Sequence, residues 1–413
     1  MRHMQWIRKS LRSRLPPSRF RVKAPPYRFK YFTYTPKYPL EFSGLKIGQI
    51  VAGEKWDYQL VEKLDKRFVY AETFKAKVLP KWGLLEHPEW AVVKAGNEGV
   101  GPSVRAFGRE YNAYQLSTIA SNSLFRSMYD LLSDPRALDA DDEEWEPSDK
   151  DLPQCLAFEW LDYTLADLPL DLVQNYDFIW NIMNTILQSA VALNTKGYVN
   201  TYIEPRSLLV SDASSTPVMK IADLHGVFKE GDILYPVPTL TRFSCLKAPE
   251  HFLGYPAVQS CTVWSLAAMI FQILKPEAFT LPPELCSMAL LLECESRMIA
   301  YFMKLFPHWK FSIGPCNNIY DKNMYERRLE EAEIFVQTSE PSIGNVLPFS
   351  AQIERMDISR ELRNLLSMML IPDAQSRPSA SDVLRSDEYR IFSESTHRLM
   401  HAQSIYPDAS FSA

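Results

Sequence analysis

Between Val199 and Val210 the chain reads Val-Asn-Thr-Tyr-Ile-Glu-Pro-Arg-Ser-Leu-Leu-Val, which sets an amide, a phenol, a carboxylate and a hydroxyl two or three residues apart in an apolar frame. A proton acceptor that works at neutral pH needs a pKa near 7, and a phenol at roughly 10 stays protonated there. Tyr202 therefore neither takes up a proton nor attracts a metal ion. Glu204 is the one carboxylate of the run. Ser207 offers a neutral hydroxyl, a poorer ligand for a hard cation than a carboxylate or phosphate oxygen.

Other segments set ionisable or polar residues in largely apolar surroundings. They are Ala91-Val92-Val93-Lys94, Arg109-Glu110-Tyr111, Phe158-Glu159-Trp160-Leu161, Ile221-Ala222-Asp223-Leu224-His225, Ala248-Pro249-Glu250, Val263-Trp264-Ser265-Leu266 and Arg377-Pro378. Taken in order with the 199–210 loop, over roughly residues 45 to 390, these resemble the landmarks of the protein-kinase superfamily. They correspond to the V-A-I-K strand, the helix-αC glutamate, the gatekeeper and hinge, the D-F-G segment, the A-P-E, the αF helix and its late arginine. Thr262 stands where the family has Asp, and Gly is replaced after Asp223 unless Gly226 is its counterpart. The leader from Tyr38-Pro39 to Gly48, Thr201 and the stretch Arg297 to Trp309 look most similar to the SR-protein-kinase branch and its fungal relatives.

The resemblance implies roles and also losses. In the family's H-x-D-x-K-P-x-N loop, Asp accepts the substrate proton, Lys steadies the γ-phosphate and Asn holds Mg²⁺. Here Asn200, Tyr202, Glu204 and Ser207 occupy those positions. The segment 65–71, Asp-Lys-Arg-Phe-Val-Tyr-Ala, lacks the glycines that let backbone amides approach phosphates, and Val92 stands where the family has a smaller Ala against the adenine. Thr201 replaces the Arg that receives a regulatory phosphate. What survives is a nucleotide-binding set, Lys94, Glu110, Glu159, Leu161 and Asp223, with Asp223 as the one metal carboxylate. Glu250, Arg377 and Trp264 are structural, the first two as a buried ion pair.

The elements that must position these residues are an antiparallel sheet and a helical body, an α+β chain of two lobes. Short β-rich runs at Asp57–Leu64, Glu72–Val78 and Ala91–Lys94 predict a small N-lobe sheet. Phe178 to Leu193 has helical periodicity and runs into Lys196-Gly197. The divisions are a basic leader (1–44), an N-lobe and hinge (45–162) with an acidic insertion near 134–151, a C-lobe (163–395) elaborated near 276–348, and a tail (396–413).

Composition bounds the rest. With 413 residues and 46% apolar content the chain can bury a large core. Its six cysteines have no C-x-x-C spacing, which argues against a zinc site or disulfide framework. No apolar run nears the roughly 20 residues that span a bilayer. The net charge of −5 conceals an asymmetry: residues 1–40 hold seven Arg, four Lys and no acid, leaving −16 on the remainder. Met4, Ile7, Leu11 and Leu15 form one stripe if that leader is helical. This pattern fits a mitochondrial presequence. A solvated basic arm or a misplaced start codon would fit it too, leaving the chain cytoplasmic or nuclear.

Three functional readings stay open. One is a catalytically impaired kinase-like domain, a pseudokinase, that binds a protein partner, with ATP and Mg²⁺ held weakly if at all and no specific nucleic acid. Another is a divergent ATP-dependent Ser/Thr kinase using Lys94, Asp223 and Glu204 as a displaced base. The third is a structural subunit of a larger assembly.

Overall fold

The first half of the chain is built on strands whose side chains alternate between core and solvent. In β2 (Trp56–Lys63) Tyr58 and Leu60 point inward, and in β3 (Ala71–Pro80) Thr73, Phe74, Ala76 and Val78 are buried. In β4 (Trp90–Gly96) every residue from Ala91 to Ala95 is buried, as befits a central strand covered on both faces. With β1 (Ile50–Ala52), β5 (Met128–Leu132) and β6 (Cys155–Glu159) they form one six-stranded antiparallel sheet in the order β1-β2-β3-β4-β6-β5. Register places Lys94 opposite Thr73 on one side and Leu156 on the other. Helix α1 (Pro102–Tyr114) opens with Pro at its first position, where the missing N–H costs nothing.

The computed structural model describes residues 44–64, 71–81, 86–96, 102–132, 155–211, 217–233, 246–276, 278, 291–315, 319–338 and 343–405, all within one compact unit, Phe42–Ala413. The basic leader up to residue 43, residues 65–70, the acidic run at 134–151 and residues 234–245 lie outside the described residues.

The second half is mainly helical, with two small sheets. β7 (Tyr163–Thr164), β9 (Leu208–Ser211) and β10 (Val218–Ile221) pair in the order β10-β9-β7, and β8 (Tyr198–Asn200) pairs with β11 (Val227–Lys229). Helix α2 (Tyr176–Asn194) is capped by the Asn175 side chain, which accepts from Asp177 N at 2.9 Å, and ends before Gly197 at φ 71°. Helix α3 (Ser260–Leu274) is buried on all sides, so its hydrophobicity needs no polar face. It is followed by α4 (Leu291–Leu305), α5 (Ile319–Gln337), α6 (Arg360–Met369), α7 (Ala380–Arg385) and α8 (Asp387–Ile405). Trp264, Phe271 and Phe302 fill the centre of the main core, and a separate cluster of Tyr58, Leu60, Phe74 and Val93 lies in the sheet.

The architecture is mixed α+β, with the three predicted runs falling in β2, β3 and β4 and the predicted helix in α2. Helix α8 runs past residue 395 because Phe392 and Thr396, one turn apart, are both buried, and the His397 ring lies 4.8 Å from that of Trp180. The first ten residues of the expected tail are thus helical. Among the described residues no helix is long and apolar enough to cross a membrane.

Candidate functional site

Two antiparallel ladders bring the 200–207 loop against the turn at 222–226. β9 pairs with β10 and β8 with β11, so the loop leaving β8 and the turn leaving β10 meet. Thr201 donates to Gly226 O from both N (2.8 Å) and Oγ1 (3.0 Å), and Ala222 N donates to Ser207 O at 2.7 Å. From α3, Thr262 Oγ1 donates to Asn200 O at 2.7 Å. A Cβ on Gly226 would come within 2.9 Å of Tyr202 Cβ and 3.0 Å of Asn200 Oδ1, so this close approach requires glycine.

The polar groups of the loop mostly serve the loop itself. Asn200 Oδ1 accepts from Tyr202 N at 3.2 Å. Ser207 Oγ donates to Glu204 O at 2.8 Å and accepts from Glu204 N at 3.0 Å, closing the turn. Tyr202 Oη donates to Glu204 Oε2 at 2.5 Å, with both residues buried. Burial raises the Glu204 carboxyl from 4.5 to about 7, helped by Asp223 and opposed by the Tyr202 hydrogen bond, Arg206 and Lys247. Lys247 Nζ lies 5.2 Å from the centre of the Tyr202 ring. His225, whose ring centre is 5.7 Å from that of Tyr202, is pushed down to about 3 chiefly by burial and is neutral at pH 7.

Beneath the loop lies a buried charge cluster. Lys94 Nζ donates to Glu110 Oε1 at 2.8 Å, to Oε2 at 3.0 Å and to Asp223 Oδ1. Asp223 adopts the left-handed conformation (φ 56°, ψ 53°), the one non-glycine residue to do so among those described. Asp tolerates this region better than most residues, and strain of this kind collects at functional sites. Burial pushes the Asp223 carboxyl up, but Lys94 and Arg126 outweigh it and hold it below the usual carboxylate range. Arg126 was not singled out from sequence. Its guanidinium stacks 4.3 Å from the Phe158 ring centre, and its Nη2 is 3.8 Å from Glu110 Oε1. The cavity lined by Lys94, Glu110, Asp223 and His225 with Ala71, Ala106 and Phe107 measures about 10 Å³, room for one water.

The remaining sequence candidates are elsewhere engaged. The Glu159 carboxylate takes Lys220 Nζ at 2.7 Å on both oxygens and Ser127 N at 3.0 Å, so its side chain ties β6 to β10. Leu161 packs in a small apolar cluster with Leu209 and Ala222. Next to it, Lys75 Nζ is sandwiched 4.4 Å from the Trp90 ring and 4.3 Å from the Trp160 ring. Arg377 donates bidentately to Glu250, Nη1 to Oε1 at 2.7 Å and Nη2 to Oε2 at 3.0 Å. Its other N–H bonds reach Ile371 O, Pro372 O and Ser260 O, and its guanidinium carbon lies 4.9 Å from the centre of the Trp264 ring. Lys75, Lys220 and Lys247 join Arg126 as residues that sequence reading passed over. The available signal was a single cation inside an otherwise apolar run, as in Leu124-Phe125-Arg126 and Met219-Lys220-Ile221.

A magnesium ion does not fit this arrangement. Of its candidate ligands, Ser207 is committed to the loop backbone, Glu204, the alternative ligand beside Asp223, to the Tyr202 hydroxyl, and Asp223 to Lys94. Among the described residues no three His, Cys, Asp or Glu side chains converge. No protein-family model matches the chain, and no curated protein matches it.

Proposed function

We propose that the chain is a two-lobed protein-kinase-like domain without phosphotransfer activity, a pseudokinase that acts by binding a protein partner. The ordered landmarks support the family, with Glu250 and Arg377 paired and Lys94 beside Glu110. One observation carries the loss of chemistry. At the position where a proton acceptor is needed, Tyr202 is itself a donor, its hydroxyl held on Glu204. The groups that could handle phosphate and metal are paired internally, Lys94 with two carboxylates and Ser207 with its own loop.

The test is calorimetry of the full chain with ATP, with and without Mg²⁺, beside Lys94→Ala, followed by a phosphotransfer assay. Background-level transfer is the expected result. Robust Mg²⁺-dependent transfer from pure protein, lost in Lys94→Ala, would overturn the reading.

A second reading, a divergent Ser/Thr kinase, is favoured by Glu204 alone. A buried carboxyl at about 7 is poised to accept a proton at neutral pH. It requires transfer that survives Tyr202→Phe and vanishes in Glu204→Gln; equal background in all three proteins eliminates it. The basic leader is proposed as a mitochondrial address, and an intact Met1 on cytosolic protein would refute that.

A further inference from the structure

Four charged groups are enclosed together where β4, α1, the segment before β5 and the turn after β10 meet. Lys94, Glu110 and Arg126 are each 4% exposed and Asp223 is 6% exposed, so bulk solvent screens none of them. Two are cations and two are carboxylates. Of the flanking titratable groups, His225 and Tyr114 are neutral, burial pushing the imidazole down and the phenol up, while Glu204 and Arg109 lie further out and act on Asp223 and His225. The cluster is charge-balanced by protein alone.

Arg126 is the member that packing does not require. Its guanidinium carbon lies 4.3 Å from the centre of the Phe158 ring, a contact that a methionine or leucine would also make. Its Nε and Nη2 are buried without a hydrogen-bond partner, an arrangement that costs stability and that an apolar residue would avoid. What the guanidinium adds is a positive charge that cannot be shed. Burial works against that charge, and Asp223, Glu110 and, where it ionises at high pH, Tyr114 outweigh it, leaving the Arg126 pKa raised.

We infer that Arg126 is a resident counter-ion for Asp223 and Glu110 that closes this carboxylate pair to divalent metal ions, so that anything the site binds is bound without metal. A hard divalent cation needs ionised oxygen ligands. Here it would have to take Asp223 from Lys94 beside a fixed positive charge, and Ser207 would offer a hydroxyl already in use. Arg126 is therefore a specificity-determining residue, and removing its charge should create a metal site.

The inference deepens the proposed function but rests only on the charges of the cluster, so the two fail separately. The test titrates Mn²⁺ alone into the full chain, following free Mn²⁺ by electron paramagnetic resonance, for wild type, Arg126→Met, Arg126→Lys and Asp223→Asn. Wild type and Asp223→Asn should bind Mn²⁺ alike. Arg126→Met should gain one site at least about tenfold tighter, the order expected for removing a unit charge a few ångströms away. That site should vanish when Asp223→Asn is added, and Arg126→Lys should match wild type. A wild-type Mn²⁺ site that Asp223→Asn abolishes overturns the inference, as does a folded Arg126→Met protein with no gain. If Arg126→Met does not fold, the neutral but polar Arg126→Gln takes its place, with the same expected gain. Metal bound at Asp223 without phosphotransfer would sink this inference and leave the pseudokinase reading standing.

Discussion

Glu204→Gln should make the protein's stability less sensitive to pH, in a direction and size that follow from the site. A carboxyl at 4.5 in the unfolded chain and at about 7 when folded binds its proton more tightly in the native state. By linkage, its contribution favours folding most below 4.5 and is lost as pH rises towards 7, staying flat above. The full effect corresponds to about 3 kcal/mol, of which about 2.5 kcal/mol falls between pH 5 and pH 8. His225 and His251, lowered to about 3 and about 4 by burial, act oppositely, their stabilisation being lost as pH falls from 6.5. Both are present in wild type and variant, so they cancel in the difference. Glutamine keeps the shape and cannot ionise. Urea unfolding of both full-length proteins at pH 5, 6, 7 and 8 should show the variant gaining about 2 to 3 kcal/mol on wild type across the range. Parallel profiles, with a constant gap at every pH, would refute the claim that Glu204 is a buried carboxyl titrating near neutrality.

Tyr202→Phe removes the donor that favours the ionised form, so the same pH comparison should show the Glu204 transition moved above 7. Arg377→Met leaves Glu250 buried and unpaired, and denaturant unfolding should register a loss of about 3 to 5 kcal/mol. Gly226→Ala forces a methyl to within 2.9 Å of Tyr202 Cβ; a loss of about 1 to 3 kcal/mol is expected, and an unchanged midpoint would contradict the close approach. Lys75→Ala should cost about 1 kcal/mol and alter tryptophan emission, because it empties the space between Trp90 and Trp160.

The fold was legible wherever a pattern is local. Alternation in Trp56–Lys63 and Ala71–Pro80, the apolar run of β4 interrupted only by Lys94 and the helical period of Tyr176–Asn194 each depend on residues within one element. The burial of Thr396 in α8 was not legible, because only the core it enters removes that polar side chain from water.

The site divides the same way. Residue types alone determined that Tyr202 cannot serve as a base and that Ser207 is a poor metal ligand, because intrinsic pKa and ligand hardness belong to the side chain. Tertiary structure alone decided what those side chains do. Glu204 moves to about 7 because the fold buries it. Lys94 is divided between Glu110, 16 residues away, and Asp223, 129 away. Arg126 becomes their counter-ion because strand order sets the segment before β5 behind Phe158. Charge interactions depend on distance and dielectric, and a one-dimensional string carries neither until the chain has folded.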